Sequence, residues 1–254
     1  MNIGAQYFTI RDFCKNLEDF DLSCKKVSDI GYTTVQLSGI GDFSAEDIKP
    51  IVDKYNLKVV ATHRPPDKYL NDIEGEIAYH KTLGCDICGI GSMPGFSASN
   101  EAVDNFVEKF TPVVKRLSDE GLTFGFHNHA LEFRKENGKF IFDILTERMA
   151  SPNFKYILDV YWLAFAGINP ARFIEERAEC VACVHLKDLK VVDNETAFAE
   201  VGCGNLNWSE IISACERANV KYALVEQDIC DTDPFGCLKT SYDYIVSEFP
   251  HLTK

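Results

Sequence analysis

A chain of 254 residues, 46% of them hydrophobic, is long enough for one large domain, residues 1–254, with a sizeable core. Its net charge of −13 repels a polyanion and no local basic patch offsets that field, which excludes nucleic acid as a partner. The opening MNIGAQYFTIR has no basic-then-apolar signal pattern and no apolar run approaches ~18 residues, so a cytoplasmic protein without a membrane partner is expected.

Apolar runs of strand length alternate with amphipathic runs of helix length along the whole chain. NIGAQYF (2–8) reads as a first strand. The helical spacing of LEDFDLSCKKVSDIG (17–31), which ends in glycine, predicts the helix that follows. TTVQL (33–37) is the second strand, and SAEDIKPIVDKYN (44–56) the second helix, with Ser44 as N-cap and acids in its first turn. KVVATH (58–63) then precedes a helix over 69–84, CDICGIG (85–91) one over 99–121, and LTFGFHNH (122–129) one over 139–149. FKYILDV (154–160), CVACVHLK (180–187) and YALVEQ (222–227) lead into helices over 169–178, 207–219 and 235–249. Repeated βα units imply a parallel sheet with right-handed crossovers, and eight of them in this length imply closure into a single (β/α)8 TIM barrel of the α/β class. An open doubly wound sheet is disfavoured because the first βα turn, QYFTIRDFCKN, lacks GxGxxG.

Ten cysteines are scattered along the chain. Cys85/Cys88 and Cys180/Cys183 have the spacing of zinc knuckles, yet both pairs lie in apolar strand runs without a turn glycine. Cysteine as a small buried hydrophobe is the better reading.

In a (β/α)8 barrel the C-terminal strand ends converge on one site. Asp159, His185 and Glu226 end three successive strands there, each after an apolar run, where an unpaired charge would be expensive. Carboxylates with an imidazole suit a divalent metal: Mn²⁺ first, then Mg²⁺ or Co²⁺, with Zn²⁺ also accommodated. Either Glu132 or His127, at the end of the fifth strand, completes the shell. Glu132 is preferred because a second carboxylate opposite Glu226 forms an acid/base pair across the metal. His127 and His129 share one strand face and become a proton shuttle or substrate ligands. His63, Lys187, Gln6 and Gln36 are further substrate contacts, Lys187 alternatively pairing with Asp188. Trp162 and Tyr161 stack on a bound substrate or pack in the core. Gly202-Cys203-Gly204-Asn205 precedes a helix whose first amides suit an anion, and Arg64 and Lys68 are the other candidates for a phosphate contact.

Taken in order, GAQYFTIR, FHNHALEF, LDVYWLAFAG, VHLKD, GCGNLNW and VEQD resemble the xylose-isomerase-like barrel superfamily, in its sugar phosphate isomerase/epimerase branch, over essentially the whole chain. The resemblance implies metal ligands Glu, Asp, His and Glu from strands five to eight, which fall on Asp159, His185 and Glu226. Many relatives carry the strand-five glutamate within the strand, where this chain has His127, with Glu132 five residues on. It further implies a sugar isomerase or epimerase that removes a proton next to a carbonyl through an enediolate, with catalytic Glu226 and Glu132 or His127. The alternative is a metal-dependent lyase acting on an inosose or 3-keto-glycoside. It implies a small carbohydrate substrate and a dimer or tetramer. Apurinic-site nucleases share the superfamily, but six histidines and the acidic charge count against that activity.

Overall fold

Eight parallel strands close on themselves in the computed structural model, which describes residues 1–253. In chain order the strands are β1 (Asn2–Gln6), β2 (Thr34–Ser38), β3 (Lys58–His63), β4 (Ile87–Ile90), β5 (Thr123–His127), β6 (Lys135–Glu136), β7 (Lys139–Phe140), β8 (Phe154–Asp159), β9 (Val181–Leu186), β10 (Asp188–Val192), β11 (Glu195–Ala199) and β12 (Tyr222–Val225). The barrel order is β1-β12-β9-β8-β5-β4-β3-β2, a TIM barrel, while β6–β7 and β10–β11 are separate antiparallel hairpins. The helices are α1 (Leu17–Ile30), α2 (Ala45–Lys54), α3 (Pro66–Asn71), α4 (Ile73–Leu83), α5 (Asn100–Asp119), α6 (Ile141–Met149), α7 (Val160–Phe165), α8 (Pro170–Glu176), α9 (Trp208–Arg217) and α10 (Pro234–Glu248). Among the described residues no helix is long and apolar enough to cross a membrane.

Local chemistry explains the element ends. The Asn16 side chain accepts from the Asp19 amide to open α1, and the Ser44 hydroxyl accepts from the Asp47 amide to open α2. The helix expected over 69–84 is two helices: Asp72 leaves helical geometry (φ −149°, ψ 66°) and its carboxylate accepts from the Gly75 amide, starting α4 afresh. The helix expected from 139 starts at Ile141, because Lys139 and Phe140 pair with Glu136 and Lys135. The strand expected to reach Val160 stops at Asp159, whose carboxylate accepts from the Tyr161 and Trp162 amides and caps α7. The hairpin β6–β7 and α7 are too short to show a period, and β10 (DLKVV) and β11 (ETAFA) do not form the continuous apolar runs that mark the barrel strands.

Strand parity divides the core. Ile157, Cys183, Tyr222 and Leu224 pack together inside the barrel, while Leu158, Val184, Ala223 and Val225 join the larger cluster toward the helices. Room for the inner layer comes from glycine: a Cβ at Gly89 or Gly125 would lie 2.8 or 2.9 Å from Ile157 Cδ1. All ten cysteines are free thiols, and Cys85, Cys88 and Cys183 are buried in this packing, with Cys180 half-buried.

Candidate active site

The alternation that buries Ile157, Cys183 and Leu224 inside the barrel sends Asp159, His185 and Glu226, two residues further on, into the same interior. His127 ends β5 on the matching face. One donor atom from each of His127, Asp159, His185 and Glu226 lies within 4.8 Å of the other three, and all four residues are buried. Pleating therefore brings four ligand-type side chains from consecutive barrel strands to one point at the C-terminal mouth.

The arrangement fits a divalent cation. His185 Nε2 lies 2.6 Å from Gln36 Oε1 and His127 Nδ1 lies 3.0 Å from the Gly91 carbonyl. Assigning a proton to each of these outer nitrogens, as the acceptors require, leaves a lone pair on the inner nitrogen of both rings. His185 Nδ1 then sits 3.0 Å from Glu226 Oε2 without making a hydrogen bond, and His127 Nε2 sits 3.4 Å from Asp159 Oδ2. Donor pairs at these separations match neighbouring ligands of one cation bound at about 2.0–2.2 Å. Formal charge points the same way. Lys187 Nζ is 3.2 Å from Asp159, 3.4 Å from Glu226 and 2.8 Å from Asp228, so three carboxylates face one ammonium. A divalent cation closes that balance.

Burial opposes charge throughout the site, and the outcome differs by residue. Burial raises the Glu226 carboxyl, but the Lys187 ammonium outweighs it and holds the group well below the usual range. Asp159 is lowered in the same way, its burial overcome by Lys187 and His127. Lys187, fully buried, is nonetheless raised, because Asp159, Glu226 and Asp228 surround it. Asp228 goes the other way: burial and the Glu226 charge push it up. Burial and His127 bring His129 down to about 3, and His63 is lowered by burial and by His127 and His185. Both rings are neutral at physiological pH.

The remaining expected residues divide by location. Glu132 lies apart from the four donors. A 3-10 turn after His129 draws it back, and its Oε2 accepts from the His129 amide at 2.8 Å. Burial, against backbone hydrogen bonds, lifts it to about 7. Gln6 is fully buried; its Nε2 donates to Glu226 Oε1 at 2.8 Å and its Oε1 accepts from the Phe8 amide, so it orients Glu226. Gln36 orients His185. His63, His129 and Lys187 line a cleft of about 270 Å³ over the donors, and His63 Nε2 and His129 Nδ1 have no partner. Trp162 lines the groove beside that cleft.

Three expectations are corrected. Lys187 does not pair with Asp188. The Asp188 carboxylate accepts from the amides of Leu189, Gly202, Gly204 and Leu206 and from Trp208 Nε1, so the loop ahead of α9 already holds a carboxylate, while Asn207 caps the Glu210 amide in the first turn of α9. Arg64 is bound to the buried Glu76 carboxylate, which takes it out of the phosphate role, and Lys68 pairs with exposed Asp42.

Sequence reasoning passed over Asp228, which lies three residues past the end of β12 where strand parity no longer applies. It also passed over Asn128, whose Oδ1 accepts from the Asp159 amide at 3.0 Å, and Phe96, a loop residue that no periodicity marks.

Comparison with known proteins agrees with the barrel. The family model for the xylose isomerase-like TIM barrel matches residues 24–229. No curated protein matches the chain. A solved sugar phosphate isomerase/epimerase from Parabacteroides distasonis is similar with a TM-score of 0.78 at 19% identity, over 96% of this chain and 93% of that one. A D-allulose 3-epimerase from Methylomonas sp. gives 0.73 at 12% identity, over 98% of both chains. A probable 3-DHS dehydratase involved in petrobactin synthesis from Bacillus anthracis gives 0.75 at 12% identity, over 97% of this chain and 99% of that one. At these identities the likeness is one of fold. With the family match spanning most of its length, the chain belongs to the xylose isomerase-like TIM barrel family.

Proposed function

We propose that the protein is a divalent-metal-dependent isomerase or epimerase of a small carbohydrate, removing a proton from the carbon next to a carbonyl. The observation that carries this reading is the convergence of His127, Asp159, His185 and Glu226 beneath a polar cleft whose lining includes His63, His129 and Lys187. A divalent cation bound there supplies Lewis acidity toward a carbonyl oxygen and its neighbouring hydroxyl. Gln36 and the Gly91 carbonyl fix the two imidazoles in the ligating tautomer. Glu226, held ionised by Lys187 and oriented by Gln6, is the base for the carbon-bound proton. Lys187 keeps its proton and offers a fixed positive charge to the enediolate oxygens. His63 and His129, both neutral, line the cleft that would receive the sugar.

A second reading, a lyase, rests on Asp228. It faces the cleft 2.8 Å from Lys187, and this pair would relay a proton from solvent to a departing β-oxygen after the same proton removal. Incubation of the Mn²⁺-supplemented protein in D₂O with a panel of ketoses, inososes and 3-keto-sugars tests both. The expected result is deuterium at the carbon beside the carbonyl, with product mass unchanged for an isomerase and reduced by water or an aglycone for a lyase. Glu226→Gln should lower exchange by about 10²–10⁴-fold; a variant retaining most of it would remove Glu226 as the base.

A further inference from the structure

Phe96 has a backbone φ of +47°, a left-handed conformation that strains a bulky side chain, and follows Gly95 at +76°. The turn holds its ring edge-on to His129, centroids 4.9 Å apart, with 57% of the residue exposed. Phe96 and His129 line both the catalytic cleft and an adjoining groove of about 490 Å³. The groove's other walls include Leu131, Phe133, Trp162 and Phe165, the last 51% exposed. Two buried polar atoms without partners, His129 Nδ1 and Trp162 Nε1, belong to its lining residues. On the opposite flank, Arg64 and Lys68 are engaged by Glu76 and Asp42. An exposed aromatic surface continuous with a polar site calls for a ligand that is apolar at one end.

We propose that the substrate is a keto-sugar glycoside with a flat aromatic aglycone, whose ring lies in the groove between Phe96, Phe133, Trp162 and Phe165. This rests on the reading that the cleft receives the sugar.

Calorimetric titration with phenyl β-D-glucopyranoside and methyl β-D-glucopyranoside tests it. The phenyl glycoside should bind the Mn²⁺-supplemented protein at least tenfold more tightly. Phe165→Ser, outside the cleft, should cut that preference to under threefold and leave methyl glycoside affinity unchanged. Phe96→Gly, which deletes the second ring while relaxing the strained backbone, should do the same to the preference if Phe165→Ser does not fold. Equal affinities in the parent protein, or a preference that survives both changes, would overturn the aglycone site while leaving the cleft reading intact. A dimer in sedimentation that Phe165→Ser dissociates would also overturn it, assigning the groove to a second copy of the chain. If neither glycoside binds, the aglycone site falls, and deuterium exchange into free ketoses still decides the cleft reading separately.

Discussion

At the scale of single residues, the site depends on which nitrogen or oxygen each side chain has left to give. Asp159, His185 and Glu226 were legible because a charged or imidazole group directly after an apolar strand is hard to explain by packing. The choice between His127 and Glu132 was not legible, since strand parity ends where the strand ends and the 3-10 turn that draws Glu132 onto the His129 amide has no periodic signal. Two variants separate them. His127→Ala should weaken Mn²⁺ binding by more than the about 10–100-fold that loss of an outer partner costs, whereas Glu132→Gln should leave it within a few-fold. Calorimetric titration checks both, and the reverse order would make Glu132 the fourth ligand. The pH dependence follows from the same ring. Burial opposes charge on His127, but Asp159 and Glu226 prevail and raise its pKa above the ordinary value. A protonated ring cannot ligate, so Mn²⁺ affinity should be flat above that raised pKa. Below it, affinity should fall about tenfold per pH unit, with a proton released on binding.

At the scale of elements, the eight barrel strands were readable because each is an apolar run of the right length, and most helices because their stripes are long enough to show a period. The short elements escaped: the break at Asp72, α7 and both hairpins are set by single side chains rather than by patterns. Asp188 is the strongest case. Its buried carboxylate gathers the four amides and the Trp208 indole that hold the segment after β11 against the start of β10. Asp188→Ala should destabilise the fold by roughly 3 kcal/mol or more, because it leaves those donors unsatisfied. Denaturant unfolding measures this, and a midpoint close to that of the parent protein would mean that water replaces the carboxylate at little cost. Gly204→Ala should act in the same direction, as its Cβ would lie 2.4 Å from Asp188 Oδ1.

At the scale of the whole molecule, the barrel gathers at one mouth three carboxylates and a lysine from β8, β9, β12 and the residues just past them, and the two imidazoles fill the space between. Such a concentration of like charge favours the folded state more once a cation shares it. Mn²⁺ at 100 times its Kd should stabilise the protein by about 2.7 kcal/mol, roughly 5–10 °C in Tm for a chain of this size. A chelator should reverse the shift, as differential scanning calorimetry can establish. The measurement that bears most directly on the site is a calorimetric titration of chelator-stripped protein with Mn²⁺, alongside Asp159→Asn and His185→Ala. One ion per chain in the parent protein, with proton release only below the raised His127 pKa, and binding lost or strongly weakened in both variants, is the result expected of the four-donor centre. No binding, or an affinity unchanged by Asp159→Asn, would contradict it.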